Sequence, residues 1–349
     1  MLSLLAFIFV LGLLVVCHEF GHFLFARIFK VRVFSFAIGY GPKLWSKTSS
    51  QTEYSIRLFP LGGFVKMAGM GDNVIEGHHR QEVSDAERFD KKPLWQRSMI
   101  VVAGPLMNIC LSIVLVFIVF TATGVPTGNL EIQQVMEGGP AERAGIRAGD
   151  VVFALNGITF DSVEDVAGAI SASPGEEIVL SIRRNSETIF IPVTPEWNEE
   201  ENRALIQVVF GMESRRTNPF LTLGRSVTSV FGWFALSVAG LFSTITGQIP
   251  LQLTGPIGIA QMAGQAAQVG FLNLLMFASL ISIFLALFNL LPIPILDGGH
   301  LVLFAYEKIK KKPLDPDKVG IIYLIGVVFL ILLAVFVTYQ DFTRILVGQ

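Results

Sequence analysis

Residues Met1 to Ala26 form an apolar run whose only readily charged side chains are His18, Glu19 and His22. Such a run is long enough to cross a bilayer, which takes about 20 residues. Ionisable groups at membrane depth are costly, so they face protein or water and carry function by default. Here they make up His18-Glu19-Phe20-Gly21-His22. An H-E-x-x-H run on a helix sets both imidazoles on one face, one turn apart. There they can share a zinc ion, with the glutamate aimed at a water as general base. The plainer reading is a pair of buried, neutral histidines held by hydrogen bonds.

Composition agrees with a membrane class. The chain of 349 residues is 52% hydrophobic and only 15% charged, with a mean hydropathy of +0.60; soluble globular chains carry more charge. A formal net charge of −2 argues against nucleic acid as a partner, because a binder would show a basic patch or stripe. Cys17 and Cys110 both fall inside apolar runs, which speaks against a disulfide framework. Cys17 adjoins His18, but neighbouring residues on a helix point about 100° apart, so it reads as apolar filler.

Four segments are expected to span the bilayer: roughly Leu2 to Phe25, Ser98 to Ala122, Phe271 to Leu291 and Gly320 to Val337. The first has no basic start and carries the metal motif, so it is not read as a cleaved signal peptide. Lysines and arginines crowd the loop after the first span, from Arg27 to Arg97, and the short loop Lys308 to Lys312 after the third. Both loops are therefore expected in the cytoplasm, with the two termini and the long middle segment outside. A further apolar stretch, Phe220 to Gly247, would reverse that pattern if it crossed. It is read as a helix lying on or partly in the outer interface.

The first loop is more than a linker. Val31 to Ile38 alternates like a strand, and Tyr54 to Met70 is apolar, β-prone and broken at Pro60-Leu61-Gly62-Gly63. Beside a membrane metal site this suggests a re-entrant hairpin, whose edge could take an extended peptide by strand addition; the plainer alternative is a small cytoplasmic hairpin that only packs. His78 and His79 lie in the polar stretch Asp72 to Lys92 and read as solvated. The second span opens Ala103-Gly104-Pro105-Leu106-Met107-Asn108. A carboxamide there needs a partner, and Asn108 could hold a substrate backbone.

Between the second and third spans, Pro126 to Gly211 reads as a soluble domain. Short β-like runs (Leu130 to Val135, Val151 to Ala154, Ile178 to Ile182, Ile189 to Val193) surround a helical stretch, Val163 to Ile170. Its run from Gly139 to Val152, followed by Leu155-Asn156-Gly157, resembles the PDZ signature of bacterial secreted and membrane proteases. PDZ domains take extended peptides onto a sheet edge beside a helix. The third span ends Asn289-Leu290-Leu291-Pro292-Ile293-Pro294-Ile295-Leu296-Asp297-Gly298-Gly299-His300. Two prolines break the helix just before a carboxylate, and Asp297 is the oxygen ligand that a His pair needs for a catalytic zinc site. His300 is the rival third ligand.

Taken together, HEFGH, AGPLMN, the PDZ module and NLLPIPILDGGH resemble the site-2 protease family of intramembrane zinc metalloproteases, and within it the bacterial regulator-of-sigma-E protease branch. The likeness covers nearly the whole chain. It implies His18, His22 and Asp297 on zinc, Glu19 as base, and Asn108 and Asn289 near the substrate. It also implies membrane-anchored, single-span substrates of the anti-sigma-factor or remnant-signal-peptide kind. That branch carries two tandem PDZ domains, whereas this chain has room for one.

The fold expected is an α-helical polytopic membrane protein of four transmembrane helices, with a membrane-associated β-hairpin region and one inserted extracytoplasmic PDZ domain. Residues 1–125 and 271–349 would form the protease core in the bacterial inner membrane, 126–211 the PDZ domain, and 212–270 an interfacial connector. The PDZ domain would contact the outer part of the substrate as a reader or size filter. A non-enzymatic zinc scaffold is the rival class, but a scaffold has no need of Glu19 as a base. A metal transporter is disfavoured, since no inverted repeat or further intramembrane ligand is evident.

Overall fold

A computed structural model describes residues 1–70, 83–160, 163–199, 201–250, 254–312 and 315–347. His78 and His79 lie outside the described residues. In chain order the elements begin with helix α1 (Leu2–Ile28), strands β1 (Val33–Ser49) and β2 (Thr52–Met67), and helix α2 (Leu94–Thr123). Next come β3 (Val125–Val135), α3 (Pro140–Arg143), β4 (Val151–Leu155), β5 (Ile158–Thr159) and α4 (Val163–Ser171). They are followed by β6 (Ile178–Arg184), β7 (Glu187–Val193), β8 (Glu196–Asn198), β9 (Arg203–Leu205) and β10 (Val208–Arg215). Helices α5 (Pro219–Ile245), α6 (Pro256–Val269), α7 (Phe271–Asn289), α8 (Asp297–Lys310) and α9 (Pro316–Val347) complete the chain.

Two compact units result: Met1–Val119 with Leu223–Gln349, and Phe120–Thr222. Among the described residues five helices are long and apolar enough to cross a membrane: α1, α2, α5, α7 and most of α9. The fifth candidate beyond the four expected spans is α5, a single helix where a surface-lying segment is expected.

In the first unit the hairpin is folded back on itself. Ser35, Phe36, Ala37 and Ile38 each pair on both sides, Phe36 with Tyr54 and Val65, Ala37 with Ser55 and Phe64. Gly39 and Gly41 supply the positive φ of +88° and +85° that the bend requires. The stretch from Gly63 to Met67 thus becomes an outer strand of the ribbon, beside α1. A Cβ at Gly63 would come within 2.8 Å of Glu19 Cγ and 3.1 Å of Val15 Cγ1. Below the hairpin, Ala26, Val31, Val33, Met67, Phe89, Ile100 and Val101 form a buried cluster against which Leu301 and Phe304 of α8 pack.

Two polar ties position the helices of this unit. Arg97 at the start of α2 grips Glu307 near the end of α8 in a fork, with nitrogen–oxygen distances of 2.7 and 3.1 Å. Asp341 in α9, only 3% exposed, accepts the N–H groups of Gly255, Ile257 and Gly258 at 3.0, 3.1 and 3.0 Å. That carboxylate caps the N-terminus of α6 and satisfies donors that the helix leaves open. A Cβ at Gly255 would strike Asp341 itself, and one at Gly258 would strike the Thr254 side chain and crowd Asp341.

The second unit is an antiparallel sheet in the order β10-β3-β4-β6-β7, with β5 paired to β4 and a separate β8-β9 ribbon. Val166 and Ile170 of α4 close a core that includes Leu130, Ile132, Val152, Leu180, Ile182 and Ile206. Asp150, 1% exposed, pairs twice with Arg184 at 2.7 Å and accepts the Arg147 N–H. With Gly145 and Gly149 at positive φ, it holds the Ala144–Asp150 turn. Strand β10 runs beyond Gly211 because it pairs with β3 along its length, from Val208 opposite Val135 to Arg215 opposite Val125.

Candidate metal centre

Helix α1 brings His18 and His22 onto one face, and their Nε2 atoms lie 3.2 Å apart. Asp297 faces them both, Oδ2 at 3.3 Å from His18 Nε2 and Oδ1 at 3.5 Å from His22 Nε2. The three residues offer ligand atoms that all lie within 4.8 Å of one another. Each side chain keeps 12–14% of its surface exposed, so an approaching molecule can reach the cluster.

The local sequence explains how Asp297 arrives there. Pro292 and Pro294 have no N–H to continue α7, so the chain unwinds after Asn289 and restarts as α8 at Asp297. The elbow is tight. A Cβ at Gly298 would collide with the carbonyls of Leu290 and Leu291, and one at Gly299 with that of Ile293. From the other side, Gly326 of α9 leaves room for Pro294, whose Cβ would be 2.8 Å from an added methyl. The glycines after Asp297 are therefore a packing requirement of the turn that presents it.

Helix α2 forms the back wall. Ile100, Gly104 and Asn108 are spaced by four residues and so lie along one face. The carbonyl of Ile100 accepts from His22 Nδ1 at 2.9 Å, and the carboxamide nitrogen of Asn108 lies 3.3 Å from His18 Nδ1. Between them a Cβ at Gly104 would strike His22 Nε2 and come within 2.8 Å of His18 Cε1. Gly21 on α1 faces the Ala103 carbonyl just as closely. Small residues on both helices let the backbones approach and the imidazoles fit.

The donor set suits zinc, since two imidazole nitrogens and a carboxylate with room for water is a catalytic zinc pattern. One observation bears on the fit directly. Asp297 Oδ2 is buried and has no hydrogen-bond partner, and a buried carboxylate oxygen left that way needs a cation.

Glu19 follows His18 on α1, half-buried against the outer hairpin strand at Gly63. Tyr40 donates to the Gly63 carbonyl at 3.0 Å. Asn289 ends α7 and is half-buried. Asn108 is wholly buried, with its carboxamide against His18. His300 turns to α9, where its Nδ1 lies 3.0 Å from the Tyr323 hydroxyl, and it is outside the three-residue cluster. The Ile100 carbonyl and the Arg97–Glu307 fork were missed in the sequence. The four-residue spacing of Ile100, Gly104 and Asn108, matching that of His18 and His22, is the signal that could have found the back wall.

Residues 6–333 match the model of peptidase family M50. The zinc metalloprotease RasP of Geobacillus kaustophilus is 33% identical, over 98% of this chain and 98% of that protein. The regulator of sigma-W protease RasP of Bacillus subtilis is 30% identical, over 98% of this chain and 99% of that protein. Among solved structures, the PDZ domain of the SdrC-like protein of Listeria monocytogenes is 15% identical, over 25% of this chain and 90% of that one, with a TM-score of 0.23. With the family model running through nearly all of its length, this chain belongs to peptidase family M50, the site-2 proteases, and is a zinc metalloprotease of the membrane.

Proposed function

We propose that the chain cuts the transmembrane segments of single-span proteins, with His18, His22 and Asp297 as the zinc ligands and Glu19 as the general base. The observation that carries this reading is the convergence of two imidazoles on one carboxylate, whose Oδ2 is buried and accepts no hydrogen bond. Zinc, when bound there, would polarise a peptide carbonyl and acidify a water. Glu19 takes the proton from the attacking water and passes it to the departing nitrogen. A helical substrate hides its carbonyls in its own hydrogen bonds, so it must unwind first. The outer strand Gly63–Met67, lying beside Glu19, can hold the unwound segment by strand addition. Asn289, at the mouth of the unwound elbow, is the remaining candidate for a substrate contact.

The four-span arrangement draws support from the polar ties. The Arg97–Glu307 fork joins the start of α2 to the end of α8, which calls for an even number of crossings between them; α2 and α7 supply two. Asp341 likewise joins the end of α9 to the start of α6, while Gly264 of α6 abuts Ser3 at the start of α1. We therefore read α5 as an interfacial helix, the basic loops as cytoplasmic, and the termini and the unit at 126–211 as extracytoplasmic. That unit, with its PDZ-like signature, is the reader of the substrate's outer part. Anti-sigma factors are the substrate class that the sigma-W name of the relative suggests, and remnant signal peptides are a second class that the family resemblance implies.

The test is cleavage in detergent of a membrane-anchored substrate by wild type and Glu19→Gln, with zinc measured in both. Glu19→Gln is expected to keep zinc and lose turnover by at least about 100-fold, the usual worth of a general base. Retained turnover in that variant would eliminate the assignment.

A further inference from the structure

We infer that Asn108 is a positioning residue for His18: its carboxamide oxygen receives the Nδ1 proton and so turns Nε2 toward the metal. The inference rests on the ligand reading above and assigns Asn108 to the metal centre in place of the substrate. Three observations carry it. His22 is already set this way, since its Nδ1–H donates to the Ile100 carbonyl at 2.9 Å and leaves Nε2 bare. His18 presents Nε2 to Asp297 and His22 in the same sense, so its proton also belongs on Nδ1, where Asn108 lies 3.3 Å away. Finally, Asn108 is fully buried and its Oδ1 has no partner.

The chemistry follows from the two faces of a carboxamide. As placed, Asn108 offers its NH₂ to His18 Nδ1, which suits an imidazole whose Nδ1 is bare. Once Nε2 is committed to a metal, Nδ1 carries the proton, and two donors would face each other. Turning the carboxamide over exchanges oxygen for nitrogen in nearly the same shape and gives the proton its acceptor. The backbone that carries the side chain is held in place, because Ser282 of α7 donates to the Asn108 carbonyl at 2.8 Å. Ligating histidines generally donate their second nitrogen to an acceptor that fixes tautomer and ring orientation. Here both acceptors come from one face of α2, four-residue steps either side of the glycine that makes room for the rings.

Zinc dissociation constants of the full-length protein in detergent, by competition with a chelating dye, test this. Asn108→Leu, of similar size but with no acceptor, is expected to bind zinc about 10- to 100-fold more weakly. Asn108→Asp keeps the acceptor and is expected to stay near wild type. Wild-type zinc affinity in Asn108→Leu, or an equal loss in Asn108→Asp, would overturn the inference; so would unchanged zinc with a raised KM, the mark of a substrate contact. Should Asn108→Leu not fold, ¹⁵N-histidine spectra of the zinc-loaded wild type decide. A proton on His18 Nδ1 is expected, and a metal-bound Nδ1 would overturn the inference. Asp297→Ala is run alongside: if it too keeps wild-type zinc, the ligand assignment has failed, and that result is distinct from failure of the Asn108 role.

Discussion

Two carboxylates of the membrane unit invite comparison. Asp341 and Asp297 both sit at places where a helix begins, and both are largely enclosed. Asp341 accepts three backbone N–H groups at the start of α6. Asp297 faces two imidazoles, and its buried Oδ2 accepts no hydrogen bond. A carboxylate saturated by backbone donors is a structural cap; one left short among nitrogen ligands is prepared for a cation. The sheet unit supplies a third kind. Its Asp150 and Glu213 meet arginines at 2.7 and 2.8 Å, so charge there is balanced within the fold.

The first way to break the comparison is Asp341→Ala. Three donors would lose their acceptor, at a cost of order 2 kcal/mol or more, and the thermal midpoint should fall. Zinc bound per folded molecule should not change. Loss of zinc at an unchanged midpoint would mean that Asp341 belongs to the metal centre and not to the cap.

A smaller effect should follow from removing the sheet unit, because every candidate catalytic residue lies in the other one. The ends should be joined outside β3 and β10, which pair from Val125 to Arg215; a cut at Gly211 would leave part of an edge strand behind. Cleavage of competing substrates that differ in outer-domain size should persist but lose its selectivity. Unchanged proportions would remove the reader role.

The smallest effect concerns Glu213. A hydrogen bond from Asn129, with further help from Thr127 and Arg183, pushes its carboxyl down to about 2. A depressed carboxylate stabilises the fold above its ordinary pKa and loses that contribution as pH falls towards the lowered one. Acid titration of Glu213→Gln should therefore show a flatter stability profile than wild type between about pH 4.5 and 2, with the two converging at the acid end. Equal slopes would mean that the pairing contributes nothing.

How much of this was legible follows from the range over which each feature acts. The shared face of His18 and His22 is a matter of helical period and could be read from five consecutive residues. The break before Asp297 was equally local, since Pro292 and Pro294 cannot continue a helix. The strands from Val151 to Val193 announced themselves by composition. What stayed hidden depends on partners distant in the chain. Nothing near Asp341 says that it caps a helix beginning at Pro256, and nothing near Asn108 names His18 as its partner. Strand β10 was missed because its place depends on β3. Helix α5 has the length and apolarity of a span, and its reading as a surface helix draws on the placement of basic loops and on the distant Arg97–Glu307 tie.

The most direct test of the metal centre is elemental analysis of zinc in purified Asp297→Ala and His300→Ala. Asp297→Ala leaves His18 and His22 alone and should lose most of its zinc together with cleavage. His300 lies against Tyr323 and outside the ligand cluster, so His300→Ala should keep near-normal zinc. Zinc retained in Asp297→Ala and lost in His300→Ala would contradict the account.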